Sequence, residues 1–275
     1  MKTKILVKIH GNVDINIIEW IKGIIAKVYD KASSKEMEIP SIVELHIFEN
    51  TDMLNTYIDF EALRMGVKAY SKGFIAYHDA WTGIPRLFFS VEGLNKLELA
   101  VAEGVVEHES MHSIIHGDVR YYIISIPLQL YEFVNLGKMG INEAWGITYL
   151  ASVVVKDYEV TLNLVKLGII DNQVKYHEYL LKEVDYNELN EQLLDYLPYK
   201  LITILTFFKP IASAIPLLNT EHGDYVKSLI ENYIDMLPSF KSILRKLTNV
   251  ILSILGDLDL KITYLIRNVI NYVGC

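Results

Sequence analysis

Two histidines and a glutamate, His108, Glu109 and His112, stand as H-E-x-x-H within the stretch from Val105 to Asp118. On an α-helix His108 and His112 project from one face about one turn apart, so two imidazole nitrogens can reach one tetrahedral metal ion. Zn²⁺ suits such a pair. Glu109, next to the first histidine, can reach a water held on the metal without binding the metal itself. The chemistry this allows is hydrolysis by an activated water, and it asks for a third protein ligand with one position left open.

Glu143 is the preferred third ligand. Asn142 can cap a helix there, and Ile147, Leu150, Ala151 and Val154 form an apolar stripe, with Glu143 one turn before Ile147 on the same inward face. A carboxylate aimed at a core asks for a cation. His116 is an alternative, but at i+8 from His108 it stands about 12 Å along the axis, which suits an orienting role better than a shared ion. Asp118 is another: it would ligate only if the chain turned back at Gly117, or else accept a hydrogen bond from a liganded imidazole. A developing oxyanion needs a donor, and His222 in Glu221-His222-Gly223-Asp224-Tyr225 is the candidate, ahead of Tyr149 and Tyr225.

The elements that must hold these residues follow from periodicity. Lys4 to Ile9 alternates as a strand, and Asp14 opens a helix over Ile15 to Tyr29. Ile42 to Phe48 reads as a second strand, after which Asn50-Thr51-Asp52 caps a helix to Met65. Gly73 to Tyr77 and Arg86 to Ser90 read as strands joined by a loop from Asp79 to Pro85. Asn95-Lys96-Leu97-Glu98 reads as a capping box, and the helix spans 96–116 with Gly117 as its C-cap. Beyond residue 140 only helical periodicity remains. Its breaks are expected at Gly168, Pro198, Pro210, Pro216, Gly223, Pro238 and Gly256. Glu178 to Asp195 reads as an amphipathic helical stretch with a solvated acidic face. The expected class is α+β: a small mixed sheet with helices over 1–120, ending in the H-E-x-x-H helix, and an all-helical part over 121–275 that carries the third ligand.

Composition narrows the function classes. The chain has 275 residues, 51% apolar and 22% charged, enough for one large domain or two subdomains with cores. Lys+Arg at 26 against Asp+Glu at 34 gives a net charge of -8, so nucleic acid is not an expected partner, and a peptide or protein substrate is. A single cysteine, Cys275, excludes an internal disulfide and a cysteine-based zinc site, which fits a reducing compartment. The first apolar run is short and broken by Lys8, unlike a signal peptide, and the cytoplasm is the expected location. The window 199–218 is membrane-like, but Lys209 and Pro210 sit at its centre, and two buried helical pieces with a kink are expected rather than a membrane span.

Over residues 70–155 the chain resembles the zincin metallopeptidases and, within them, the gluzincins. The resemblance rests on His108-Glu109-x-x-His112 after a small sheet and on Asn142-Glu143-Ala144 opening a second helix. It implies that His108, His112 and Glu143 bind Zn²⁺, that Glu109 is general base and acid, and that the Gly73–Tyr77 strand aligns an extended substrate. One departure is Ile147, four after Glu143, where the thermolysin-like pattern has an aspartate. The metzincin pattern ranks second: Asp118 falls at its last position, but Ile115 replaces the turning glycine, and Met139 only faintly echoes a Met-turn. A catalytically silent zincin-fold protein, serving as a metal-binding or protein-interaction module, is the alternative function. Such a protein has no chemical need for Glu109.

Overall fold

Among the described residues, largely aliphatic and aromatic runs make four strands. In the computed structural model, which describes residues 3–66, 74–182 and 193–274, β1 (Lys4–His10), β2 (Ile42–Phe48) and β4 (Arg86–Ser90) run parallel. β3 (Ala76–Asp79) lies antiparallel to β4 at the edge, in the order β1-β2-β4-β3. The molecule is thus mixed α and β. By Cα proximity the chain forms two compact units, Met1–Tyr122 with Lys166–Tyr176, and Ile123–Val165 with His177–Cys275.

In the first unit, strand alternation splits the side chains between two faces. Glu44, His46, Phe48, Arg86 and Phe88 share one face with Tyr77 and Asp79, because Tyr77 pairs with Phe88 and Asp79 with Arg86. The helix α2 (Thr51–Met65) covers this face, its Leu54 and Ile58 packing with Phe48 and Phe88. Asn50 caps α2 by accepting the Met53 N–H at 2.9 Å, as Asp14 caps α1 (Ile15–Ser34) through Asn16. The opposite face carries Leu45, Ile47, Leu87, Phe89 and His78. There α4 (Leu99–Ile115) packs against β3 and β4, and against α1.

Several boundaries differ from the sequence reading: β1 includes His10, and α1 runs on past Tyr29 to Ser34. Gly73 lies outside the described residues, and β3 begins at Ala76 and runs on through His78 to Asp79. The extension has an electrostatic cause: Arg86 of β4 donates to both Asp79 carboxylate oxygens, at 2.7 and 2.9 Å. The Asn95–Glu98 capping box does not form. Ser90 caps a preceding short helix, α3 (Val91–Asn95), which takes up Asn95, and Glu98 stands at the start of α4 without a side-chain cap bond. At the other end His116, not Gly117, is the C-cap. Gly117 is needed for a different reason, since a Cβ there would collide with the Ser113 carbonyl oxygen.

Among its described residues the regular elements of the second unit are all helices. It contains α5 (Leu128–Asn135), nearly all of α6 (Ile141–Lys166), the end of α7 (Asp171–Lys182), α8 (Leu197–Ala214), α9 (Gly223–Asp235), α10 (Lys241–Leu252) and α11 (Leu258–Val273). Of the Glu178–Asp195 stretch, residues 183–192 and their acidic face lie outside the described residues. Cys275 does too. Pro210 does not split the apolar window: α8 runs through it to Ala214, and a 3₁₀ turn, Ile215–Asn219, follows. Leu197–Asn219 is long and apolar enough to cross a membrane, yet most of it is buried, with α9, α10 and α11 packed against α8. Packing on several sides holds a helix that its proline alone would weaken.

Candidate metal centre

α4 is buried on nearly every side, and its buried residues include Glu107, His108, Ser110, His112 and Ser113 as well as Val101, Val105, Val106 and Met111. Buried polar groups are costly unless bonded. Ser110 Oγ donates to the Val106 carbonyl and Ser113 Oγ to the Ser110 carbonyl, each at 2.6 Å. With its proton so used, Ser113 Oγ accepts from the Tyr29 hydroxyl of α1 at 2.6 Å. Glu107 accepts from Gln173 and Asn172 at 3.3 and 3.1 Å, while burial pushes its carboxyl above the usual range. The 166–176 segment comes this close because position 104 is glycine. A Cβ on Gly104 would stand 2.6 Å from the Asn172 carbonyl oxygen and 2.8 Å from Tyr176 Cβ. The same approach places the Tyr176 ring edge-on to His108, with centroids 5.3 Å apart.

His108 Nε2 and His112 Nε2 are 3.2 Å apart, with the ring planes at 69°. Two nitrogens bound at about 2.05 Å to one tetrahedral zinc lie about 3.3 Å apart, so the donor set fits a shared ion. His112 Nδ1 is 3.1 Å from His116 Nδ1. A neutral imidazole has one proton, so a His112 that keeps its Nε2 lone pair for a metal carries the proton on Nδ1 and donates it to His116. All three rings are buried.

Glu109 is held from the sheet. His78 Nδ1 lies 2.7 Å from Glu109 Oε2, and the His78 ring stacks on His112 with centroids 3.6 Å apart and planes 14° from parallel. Donor atoms of His78, Glu109 and His112 gather closely enough to suggest a second ligand set. The stack argues against it, because imidazole lone pairs lie in the ring plane, and two rings face to face aim them side by side rather than at one point. The His78 and Glu109 side chains are 17% and 12% exposed, so the carboxylate forms the accessible side of a group whose other imidazoles are sealed in.

The structure therefore brings together His108, Glu109 and His112 on one helix with its C-cap His116, and adds His78, which the sequence reading missed by ending its strand at Tyr77. The available signal was alternation: continued by one residue, β3 puts His78 on the face that the H-E-x-x-H helix covers. Asp118 does not orient an imidazole. It binds Arg120 at 2.9 and 3.1 Å, which holds its carboxyl below the usual range, and His116 fills the orienting place instead.

Glu143 and His222 belong to the second unit. Glu143 lies in the first turn of α6, where Gly140, rather than Asn142, occupies the cap position. Its Oε2 accepts the Gly140 N–H at 2.6 Å, a capping-box bond, and its Oε1 accepts the Tyr196 hydroxyl at 2.6 Å. His222 precedes α9, its carbonyl accepting the Val226 N–H and its own N–H reaching Thr220 Oγ1 at 3.3 Å. Tyr149 is part of α6, and Tyr225 is exposed on α9. Set against known proteins, the chain matches no family model, no curated protein and no solved structure.

Proposed function

We propose that the protein is a zinc-dependent metallopeptidase of the zincin type, acting on a peptide or protein substrate. The observation that carries the reading is the pair of Nε2 atoms 3.2 Å apart on α4, with Glu109 beside them on the same helix. His108 and His112 would hold the ion. Glu143 is proposed as the third ligand on the strength of the Asn142-Glu143-Ala144 pattern, and His222 as the oxyanion donor on sequence grounds alone. When bound, zinc supplies Lewis acidity that brings the pKa of its water to about 7 and polarises a carbonyl.

The chain's own residues supply the rest. Glu109 accepts the proton of the attacking water and returns it to the leaving amine. His116 fixes the tautomer of His112, so that the metal-facing nitrogen keeps its lone pair. β3, bordered in the sheet by β4 alone among the described residues, would offer backbone groups along its outer side to an extended peptide, next to Glu109.

Elemental analysis of the purified protein tests the reading, with peptide hydrolysis assayed alongside. About one zinc per chain, lost in His112→Ala and kept in Glu109→Gln while hydrolysis disappears, is the expected result. Zinc without hydrolysis of any peptide in a broad mixture would leave the silent metal-binding module. Absence of zinc after reconstitution would remove both.

A further inference from the structure

We infer that His78 is a positioning residue for Glu109: its Nδ1–H holds one carboxylate oxygen and leaves the other free to take a proton from water. The inference rests on the peptidase reading above and deepens it.

Three observations converge on His78. First, its backbone is anchored at the sheet edge. It pairs with Leu87 in β4, and the next residue, Asp79, is locked by the buried Arg86, which also donates to Glu61 of α2 at 2.7 Å. Second, the His112 ring fixes the plane of the His78 ring through the 3.6 Å stack, while the 2.7 Å bond to Glu109 fixes which edge faces the helix. Two restraints thus set the two side-chain torsions. Third, the parallel stack makes a common ion for His78 and His112 geometrically poor, which leaves the carboxylate as the group His78 serves.

An ionised carboxylate only accepts, so in this bond Nδ1 is the donor. A glutamate has three side-chain torsions, and without the bond its carboxylate samples several directions at a partly exposed position. Holding Oε2 removes that freedom before the reaction begins, and Oε1 is left as the proton acceptor. Partners that orient a working residue in this way are worth roughly ten- to a hundredfold.

The test uses the full zinc-loaded chain and two substitutions that separate the bond from the stack. His78→Phe keeps an aromatic face on His112 but has no donor; kcat should fall about ten- to a hundredfold, with KM and zinc content unchanged. His78→Asn places an amide N–H close to the Nδ1 position, and should restore kcat to within a few-fold of wild type. Independently of turnover, wild-type protein should show a far-downfield imidazole N–H proton resonance that disappears in His78→Phe and in Glu109→Ala. Wild-type kcat in His78→Phe would overturn the inference. So would loss of zinc in that variant, which would make His78 a ligand. Should either variant fail to fold, the wild-type resonance and its response to Glu109→Ala decide alone, and an absent resonance overturns the inference. Failure of the peptidase reading would be seen separately, in wild-type protein that takes up no zinc or cleaves nothing, and the inference would fall with it.

Discussion

Opposite faces of one small sheet carry two histidine pairs with the same nitrogen spacing. On the α2 face His10 Nε2 lies 3.2 Å from His46 Nδ1; on the α4 face His108 Nε2 lies 3.2 Å from His112 Nε2. Each pair has a glutamate nearby, Glu44 or Glu109. Their surroundings differ. Glu44 is already neutralised by Lys8 at 2.8 Å, and the strand-borne rings are set among Phe48, Phe88 and Tyr57. Burial, then the nearby Lys8 charge, makes His10 harder to protonate. Among the described residues no third donor gathers with His10 and His46, and a lysine so close opposes a cation. Glu109 instead meets the His78 imidazole, and one further histidine, His116 at the end of the same helix, backs the pair. On the proposed reading, spacing between two nitrogens is not enough for a metal centre, and the charge left uncompensated around them separates the two clusters.

The sharpest way to break the comparison is to neutralise each glutamate. Glu109→Gln should lower peptide hydrolysis by about a thousandfold at unchanged zinc content, the size expected of a lost general base. Glu44→Gln should leave both hydrolysis and zinc as they are. Equal effects on activity would mean that the two clusters had been told apart wrongly.

The pairing that supports both faces at the sheet edge is next in size. Arg86 is buried between Asp79 and Glu61, which together push its guanidinium up against the opposing effect of burial. Arg86→Met leaves the buried Asp79 carboxylate without its cation and Glu61 with Arg64 alone, and should cost about 3–5 kcal/mol in denaturant unfolding. A loss under 1 kcal/mol would show that the edge strand is held by its backbone pairing alone.

His46 should make the α2 face acid-sensitive. Burial holds it down to about 4, from an ordinary 6.5, against the opposing pull of Glu44 and with Lys8 and His10 adding to the depression. The unfolded chain therefore takes up this proton near pH 6.5, and the folded chain only near pH 4. Stability from the neutral ring is fully present above pH 6.5 and is lost as the pH falls towards 4, by about 3 kcal/mol in all. His46→Phe should remove that slope, seen by comparing urea melts of the two proteins at pH 7 and pH 4.5. An unchanged slope would move the acid sensitivity to other groups.

The smallest expected stability change concerns Glu143. Glu143→Ala removes a cap bond and the Tyr196 contact, costing about 1 kcal/mol. It should also weaken zinc binding if the proposed ligand set is right. Destabilisation with full zinc retention would confine Glu143 to its cap and put the third ligand elsewhere.

The elements that carry the centre were largely legible. β2 and β4 have the bounds that their apolar runs dictate, and Asp14 and Asn50 cap the helices they were read to cap. Those features depend on residues within a turn or two of each other. The start of α4 was misread because Ser90 captured the preceding turn, and Pro210 was misread as a break because the packing that tolerates it comes from distant helices.

The same division holds in the centre. H-E-x-x-H places His108, Glu109 and His112 by helix geometry alone, since residues four apart on a helix are neighbours whatever surrounds them. His116 follows by the same rule. The bond from His78 to Glu109 joins residues 31 apart, and it exists because the register of β3 on β4, set in part by Asp79 and Arg86, aims one side of an edge strand at α4. Local sequence determined which groups could bind a metal and move a proton. Only the tertiary structure decided which imidazole holds the carboxylate, because strand register and helix placement are fixed by contacts that no short window of the chain contains.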